Sequence, residues 1–138
     1  MMKKRVLFLC TGNSCRSQMA EGFLRSLGGD RFEAYSAGVD PTEINPLSVR
    51  VMSEAGLDIS AQRSKSVGRY VGHRFDYVIT VCDNARQTCP FFAGRCQRIH
   101  WDIEDPAAAG GADDEKLIVF RKTRDLIERH VLDFLKSV

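Results

Sequence analysis

The thiol of Cys10 and the guanidinium of Arg16 stand six positions apart across the short polar run Thr11-Gly12-Asn13-Ser14-Cys15, and Ser17 follows directly. A run of this kind makes an anion pocket. Backbone amides from Thr11 to Cys15 can cradle the oxygens of a tetrahedral oxyanion, and Arg16 can take two of them in a bidentate fork. The same positive field favours the nucleophilic thiolate of Cys10. Two more thiols, Cys82 and Cys89, lie downstream. Three sulfurs suit electron transfer: hydrolysing a phosphate ester changes no oxidation state, whereas a reduction draws two electrons that a dithiol-to-disulfide step supplies. The plainer alternatives are a core cysteine at position 10 and two unrelated thiols at 82 and 89.

Elements must position these groups. Residues 6–9 are continuously apolar, the pattern of a buried strand, so Cys10 ends a strand. Ala20, Phe23, Leu24 and Leu27 recur at helical spacing up to the Gly28-Gly29 stop. Arg16-Ser17 therefore open a helix whose unpaired N–H groups and positive dipole end face the loop. Residues 33–37 predict a second strand, closed by Gly38 and the Asp40-Pro41 turn. Asn45 reads as a helix N-cap with Pro46 at the first helical position, Val49 and Met52 on the buried face and Gly56 as the stop. A short helix is expected around 67–71. Residues 75–81 form the next strand and deliver Cys82 at its end, the place that Cys10 takes on the first. The stretch 83–89 is open between a brief helix and a polar loop that stops at Pro90. A last strand over 98–101 leads into the acidic turn 102–106 and a small, Gly-containing stretch over 107–112. A packing helix then starts at Asp113, with Leu117, Phe120, Ile127, Val131 and Phe134 at helical spacing. The expectation is a single α/β domain over 1–138, an open parallel sheet of about four strands flanked by helices. Cys10 and Cys82, past the carboxyl ends of parallel strands, then face one crevice.

Composition narrows the partners. The 138 residues, 43% of them hydrophobic, fill one core-bearing domain. Lys+Arg 20 against Asp+Glu 18 gives a net charge of +2, too balanced for nucleic acid as the main partner. Lys3-Lys4-Arg5 ahead of Val-Leu-Phe-Leu-Cys imitates a secretion signal, but the apolar run is shorter than the ~7–15 residues of such a signal. No stretch is long enough to span a bilayer, so a cytoplasmic protein without a membrane partner is expected. Five cysteines, an odd count, favour catalytic or redox thiols over a disulfide framework in a reducing compartment. A zinc site from Cys82, Cys89, Cys96 and His100 would lack the paired short spacings of structural zinc, so no bound metal or cofactor is expected. His73 and His130 read as surface or satisfied histidines, and a monomer is expected.

Cys10-x5-Arg16-Ser17 after a first strand resembles the low-molecular-weight tyrosine phosphatase superfamily, and the string CTGNSCRSQMAEG over 10–22 is similar to its thioredoxin-coupled arsenate reductase branch. The likeness continues through Tyr35-Ser36-Ala37-Gly38, Asn45-Pro46, Cys82, Cys89-Pro90, His100-Trp101 and Asp105-Pro106, and so spans most of the chain. Phosphatases of this superfamily usually carry Pro after the Arg-Ser pair, where this chain has Gln18. The resemblance implies that the Cys10 thiolate attacks arsenate, that Cys82 attacks the Cys10 sulfur and releases arsenite, and that Cys89 attacks Cys82. The Cys82–Cys89 disulfide left behind would be reset by thioredoxin, with glutaredoxin or a small thiol as rival reductants.

The resemblance also makes Asp105 the general acid, with Asp102 and Glu104 as competitors. It has Ser17 hydrogen-bond the Cys10 thiolate while Asn13 holds the strained turn of the loop. Cys15 is expected to pack inward, a protective bond to Cys10 being its alternative, and Cys96 matches no family role. Some members bind potassium through residues matching Asn13, Glu21 and Ser36 plus an acidic residue near position 65. This chain has Lys65, whose ammonium is expected to replace the cation by pairing with Glu21. Weak phosphatase activity is expected as a side reaction. Two other readings stay open. One is a tyrosine phosphatase, disfavoured by Cys82, Cys89, Gln18 and the absence of Tyr after Asp105-Pro106. The other is a non-enzymatic oxyanion-binding or redox-sensing module.

Overall fold

The computed structural model describes residues 3–90, 92 and 94–138. Four strands, β1 (Lys4–Cys10), β2 (Phe32–Gly38), β3 (Tyr77–Thr80) and β4 (Gln97–His100), pair in the order β2-β1-β3-β4, all parallel. The helices are α1 (Arg16–Gly28), α2 (Pro46–Glu54), α3 (Asp83–Thr88) and α4 (Asp113–Ser137), with short 3-10 turns at Gly29–Arg31, Val67–Tyr70 and Pro106–Ala108. The chain leaves β1 for β2 on one side and returns to β3 on the other. That reversal opens a crevice beyond the carboxyl ends of β1 and β3.

β1 is apolar without alternation because both its faces are covered. Val6, Phe8 and Cys10 join the cluster beneath α1, α2 and α4, while Leu7 and Leu9 join a second cluster with Tyr70, Phe75, Val78, Ala85 and Phe92. α4 closes the first cluster with Leu117, Phe120, Thr123, Ile127, Val131 and Phe134, the stripe its periodicity predicts plus Thr123. Asn45 caps α2 by accepting from Leu47 N–H at 2.9 Å, and Pro46 holds the first helical position.

Three details differ from the sequence expectation. Leu27 is exposed together with Arg25 and Ser26, because the last turn of α1 runs out beyond the elements that bury its first nine residues. Val51, not Val49, is the fully buried valine of α2, since that helix lies against both α1 and α4; Val49 is half-buried. The ladder of β3 covers four residues rather than seven: Phe75 has already turned into the second cluster, and Val81 adds one hydrogen bond to Leu9 O at 2.9 Å.

Gly38, opposite Cys10 in the β1–β2 register, is where the sheet meets the loop that follows β1. A Cβ there would lie 2.6 Å from Thr11 O and 2.8 Å from Asn13 N, both backbone atoms that cannot swing aside. Gly38→Ala should therefore lose about 1–3 kcal/mol in urea unfolding, the scale of overpacking at a rigid site; a variant as stable as the natural chain would show that the loop yields.

Candidate active site

Residues 10–16 run from the end of β1 to the start of α1, and the direction of every peptide in that loop is set from outside it. Val39 N–H donates to Cys10 O (3.1 Å), Asp40 to Thr11 O (2.9 Å), Thr42 to Gly12 O (2.9 Å) and Asn45 to Ser14 O (3.1 Å). Asn13 O accepts from Gln18 Nε2 (3.0 Å) and Ser64 Oγ (2.7 Å). With the carbonyls drawn outward, the amides turn inward. The N-cap residue of α1, Cys15, gives no side-chain cap, so the orphan amides of the first helical turn join the same concave surface.

Asn13 makes the turn. It is the one non-glycine among the described residues with positive φ (49°), and it is fully buried. Its side-chain amide is orientated by Lys65 N–H, which donates to Oδ1 at 2.9 Å, leaving Nδ2 to donate to Ser17 Oγ at 2.8 Å. Ser17 Oγ, which accepts from that amide, lies 2.8 Å from Cys10 Sγ. Asn13 N–H reaches the same sulfur at 3.1 Å. A backbone amide and a hydroxyl thus meet at one buried sulfur.

Arg16 is buried, and its Nη1 is held by Ile103 O (2.8 Å) and Val81 O (3.2 Å). The Nε–Nη2 edge remains. Nε is buried with no hydrogen-bond partner, and Nη2 lies 3.8 Å from Asp105 Oδ2. That edge could serve as a bidentate fork, and an oxyanion over the loop would satisfy the orphaned Nε. The acid turn is anchored through Trp101, Ile103 and Pro106, all buried, which leaves Asp102 and Glu104 facing outward. Asp105 is the acid of the three that is ion-paired to Arg16, and its Oδ1 caps the 3-10 turn by accepting from Ala107 N–H at 3.0 Å.

Cys82 is the N-cap of α3, accepting from Ala85 N–H (3.3 Å), and its sulfur lies 3.3 Å from Thr11 Oγ1, on the rim of the loop. Cys89 is not with them. It sits at the far end of α3, where Arg98 Nη1 donates to its sulfur at 2.8 Å. Burial pushes the Cys89 thiol up and the Arg98 guanidinium pulls it back. Cys15 packs into the first core cluster, and burial raises its pKa. All five cysteines are free. Among the described residues no three His, Cys, Asp or Glu side chains converge as a metal-ligating group, and no helix is long and apolar enough to cross a membrane.

Lys65 stands where a cation would have to bind. Its Nζ is 3.7 Å from Glu21 Oε1, which also accepts from Ser36 Oγ at 2.5 Å, while Arg25 Nη2 holds Glu21 Oε2 at 2.7 Å. Burial pushes the Lys65 ammonium down and the Glu21 carboxylate opposes that shift. A second cation among Asn13, Glu21 and Ser36 would face this ammonium, so these residues do not fit potassium. The sequence pointed to Cys10, Arg16, Ser17, Cys82 and Asp105; it gave no sign of Val39, Asp40, Thr42 or Ser64, which act through backbone or a single hydroxyl. Gln18 was visible only as a departure from Pro.

A sequence profile described as "Low molecular weight phosphotyrosine protein phosphatase" matches residues 5–138. The chain is 44% identical over 137 residues to an arsenate reductase of Halalkalibacterium halodurans, covering 99% of each. Among solved structures it superposes on "An arsenate reductase in the phosphate binding state" with a TM-score of 0.80 and 32% identity over 98% of each chain. A thioredoxin-dependent arsenate reductase of Corynebacterium glutamicum matches with a TM-score of 0.74 and 30% identity, over 98% of this chain and 61% of that one.

The Lys65–Glu21 pair carries its own test. Lys65→Gln should cost about 1–3 kcal/mol, the scale of a lost charged hydrogen bond, because it removes the ammonium's bond to Arg63 O along with its pairing to Glu21, which Arg25 still holds. The natural chain should melt at the same temperature in sodium and potassium chloride, and a potassium-specific rise would overturn the assignment.

Proposed function

The chain belongs to the low molecular weight phosphotyrosine protein phosphatase family, and from that footing we propose that it reduces arsenate to arsenite through a relay of Cys10, Cys82 and Cys89 that thioredoxin resets. The loop amides of Thr11 to Cys15 and the Nε–Nη2 edge of Arg16 bind the oxyanion over the Cys10 sulfur. The Cys10 thiolate attacks arsenic and displaces one oxygen as water, its proton coming from Asp105. Cys82 then attacks the Cys10 sulfur. The S–As bonding pair passes to arsenic, which leaves as arsenite, and a Cys10–Cys82 disulfide forms. Cys89 attacks Cys82, Cys10 departs as a thiolate, and the Cys82–Cys89 disulfide goes to an external dithiol.

The observation that carries this reading is Cys82 on the rim of the anion loop, 3.3 Å from Thr11 Oγ1. A phosphatase needs only the nucleophile, the arginine and the acid. The relatives described as arsenate reductases support the substrate, and the thioredoxin-dependent one supports the reductant.

α3 separates the second and third thiols. Cys82 and Cys89 bracket its six residues, and seven helical steps span about 10.5 Å. A disulfide needs Cα atoms within roughly 7 Å. The helix must unwind at least in part for the bond to close, and the unwinding brings the oxidised pair outward, where a partner protein reaches it.

The test of function is arsenate-dependent NADPH consumption with thioredoxin and its reductase. Cys10→Ser, Cys82→Ser and Cys89→Ser should each fall by about 100-fold or more, and Asp105→Asn by about the same factor while Glu104→Gln stays near the natural rate. Full-speed cycling by the Cys82 or Cys89 variant would leave a hydrolase in place of the relay. Hydrogen exchange supplies the conformational test: amides over 82–90 should exchange faster in the oxidised protein than in the reduced one, and identical protection would exclude the unwinding.

A further inference from the structure

The fifth thiol, Cys96, lies along the line on which the other two are placed. α3 runs alongside β4, with Asp83 at its start 3.5 Å from His100 Nε2 and Cys89 at its end 2.8 Å from Arg98 Nη1. Cys96 precedes β4 by one residue, and His100, Arg98 and Cys96 are alternate residues of this stretch, each pair about 7 Å apart on one face of an extended chain. Cys82, Cys89 and Cys96 all pack against the same cluster of Leu7, Leu9, Val78, Ala85 and Phe92. The sulfurs therefore step down one edge of the sheet, away from the anion loop. The Cys89 sulfur is turned from Cys82, which is occupied by Thr11 and the Ala85 amide, towards the guanidinium that follows Cys96. Cys96 is half-buried and opens on a surface groove of about 500 Å³ lined by Lys4, Asp76, Tyr77, Arg95 and Gln97.

We propose that Cys96 is a fourth relay thiol, which takes the disulfide over from Cys82 and holds it as a Cys89–Cys96 bond at the outer end of the sheet edge. The proposal rests on the relay described above and extends it by one exchange. The Cys96 thiolate attacks Cys89 Sγ of the Cys82–Cys89 disulfide; the Cys89–Cys96 bond forms, the Cys82–Cys89 bond breaks, and Cys82 leaves as a thiolate that takes a proton from water. No electrons enter or leave. Arg98, beside Cys89, stabilises negative charge on the exchanging sulfurs. Cys82 and α3 are then free to return to their starting arrangement while Cys10 is already reduced. The chain can accept a second arsenate before any reductant arrives.

Counting arsenite tests this. Reduced natural chain and Cys96→Ser, with Cys96→Ala as a second variant, are mixed with excess arsenate in the absence of any reductant, and the disulfides are mapped by mass spectrometry after alkylation. The natural chain should release two arsenites and carry Cys89–Cys96 and Cys10–Cys82 bonds. The variants should release one, a twofold loss, and carry Cys82–Cys89. One arsenite from every protein, with Cys82–Cys89 as the bond in the natural chain too, would overturn the fourth thiol and leave the three-cysteine relay standing. A natural chain that releases no arsenite and forms neither bond would remove the relay itself, and this extension with it. The natural chain's own disulfide map decides the matter even if both variants fold poorly.

Discussion

One left-handed residue holds the site in shape. A ring of amides pointing at one spot requires the chain to reverse within a few residues, and Asn13 makes that reversal at φ 49°. For a residue with a Cβ this conformation costs roughly 1 kcal/mol or more, least for Asn and Asp. The cost is offset because each polar group of Asn13 has a partner: Cys10 Sγ, Gln18, Ser64, Lys65 N–H and Ser17. The same contacts that fix the turn bring the Asn13 amide and the Ser17 hydroxyl to the Cys10 sulfur, so loop geometry and the surroundings of that thiol are one arrangement. Gln18 belongs to it. Its Nε2 spans Asn13 O and Arg63 O while Gln62 Nε2 donates to its Oε1, tying the loop to the 60–65 segment by side-chain bonds.

The second constraint is distance. Cys82 is held at the loop and Cys89 is held on Arg98, with a helix of six residues between them. In this arrangement the thiols cannot all meet, and in the proposed relay that separation would order them: the sulfur beside the anion loop before the one that needs a helix to open. α3 is suited to opening. It is short; its Asp83–Arg86 pair is exposed and internal to the helix, worth little, and Asp83 reaches across to His100 Nε2 at 3.5 Å.

Topology brings the parts together at no cost to the chemistry. Parallel strands end on one side, and the change of direction between β1 and β3 leaves a gap where Cys10, Cys82 and the Arg16 guanidinium converge. The end of β1 is buried on both faces, and such packing suits the proposed nucleophile, which must hold its place.

Much of this was legible in the residues. The apolar run ahead of Cys10, the Gly28-Gly29 stop, the Asn45-Pro46 cap and the stripe of α4 each reflect a local rule, periodicity or terminal capping, and each appears where the sequence puts it. The Lys65–Glu21 pair was legible too, as a charge in place of a charge. What the residues alone could not reveal depends on groups that meet across the chain. The carbonyl partners of the loop are backbone amides of 39–45, which look the same in any sequence. The exposure of Leu27 and the burial of Val51 follow from where neighbouring helices end, a property of packing rather than of period. The turning of Cys89 towards Arg98 is set by how a six-residue helix lies along β4. Local chemistry marks which groups could act; long-range packing decides which of them touch.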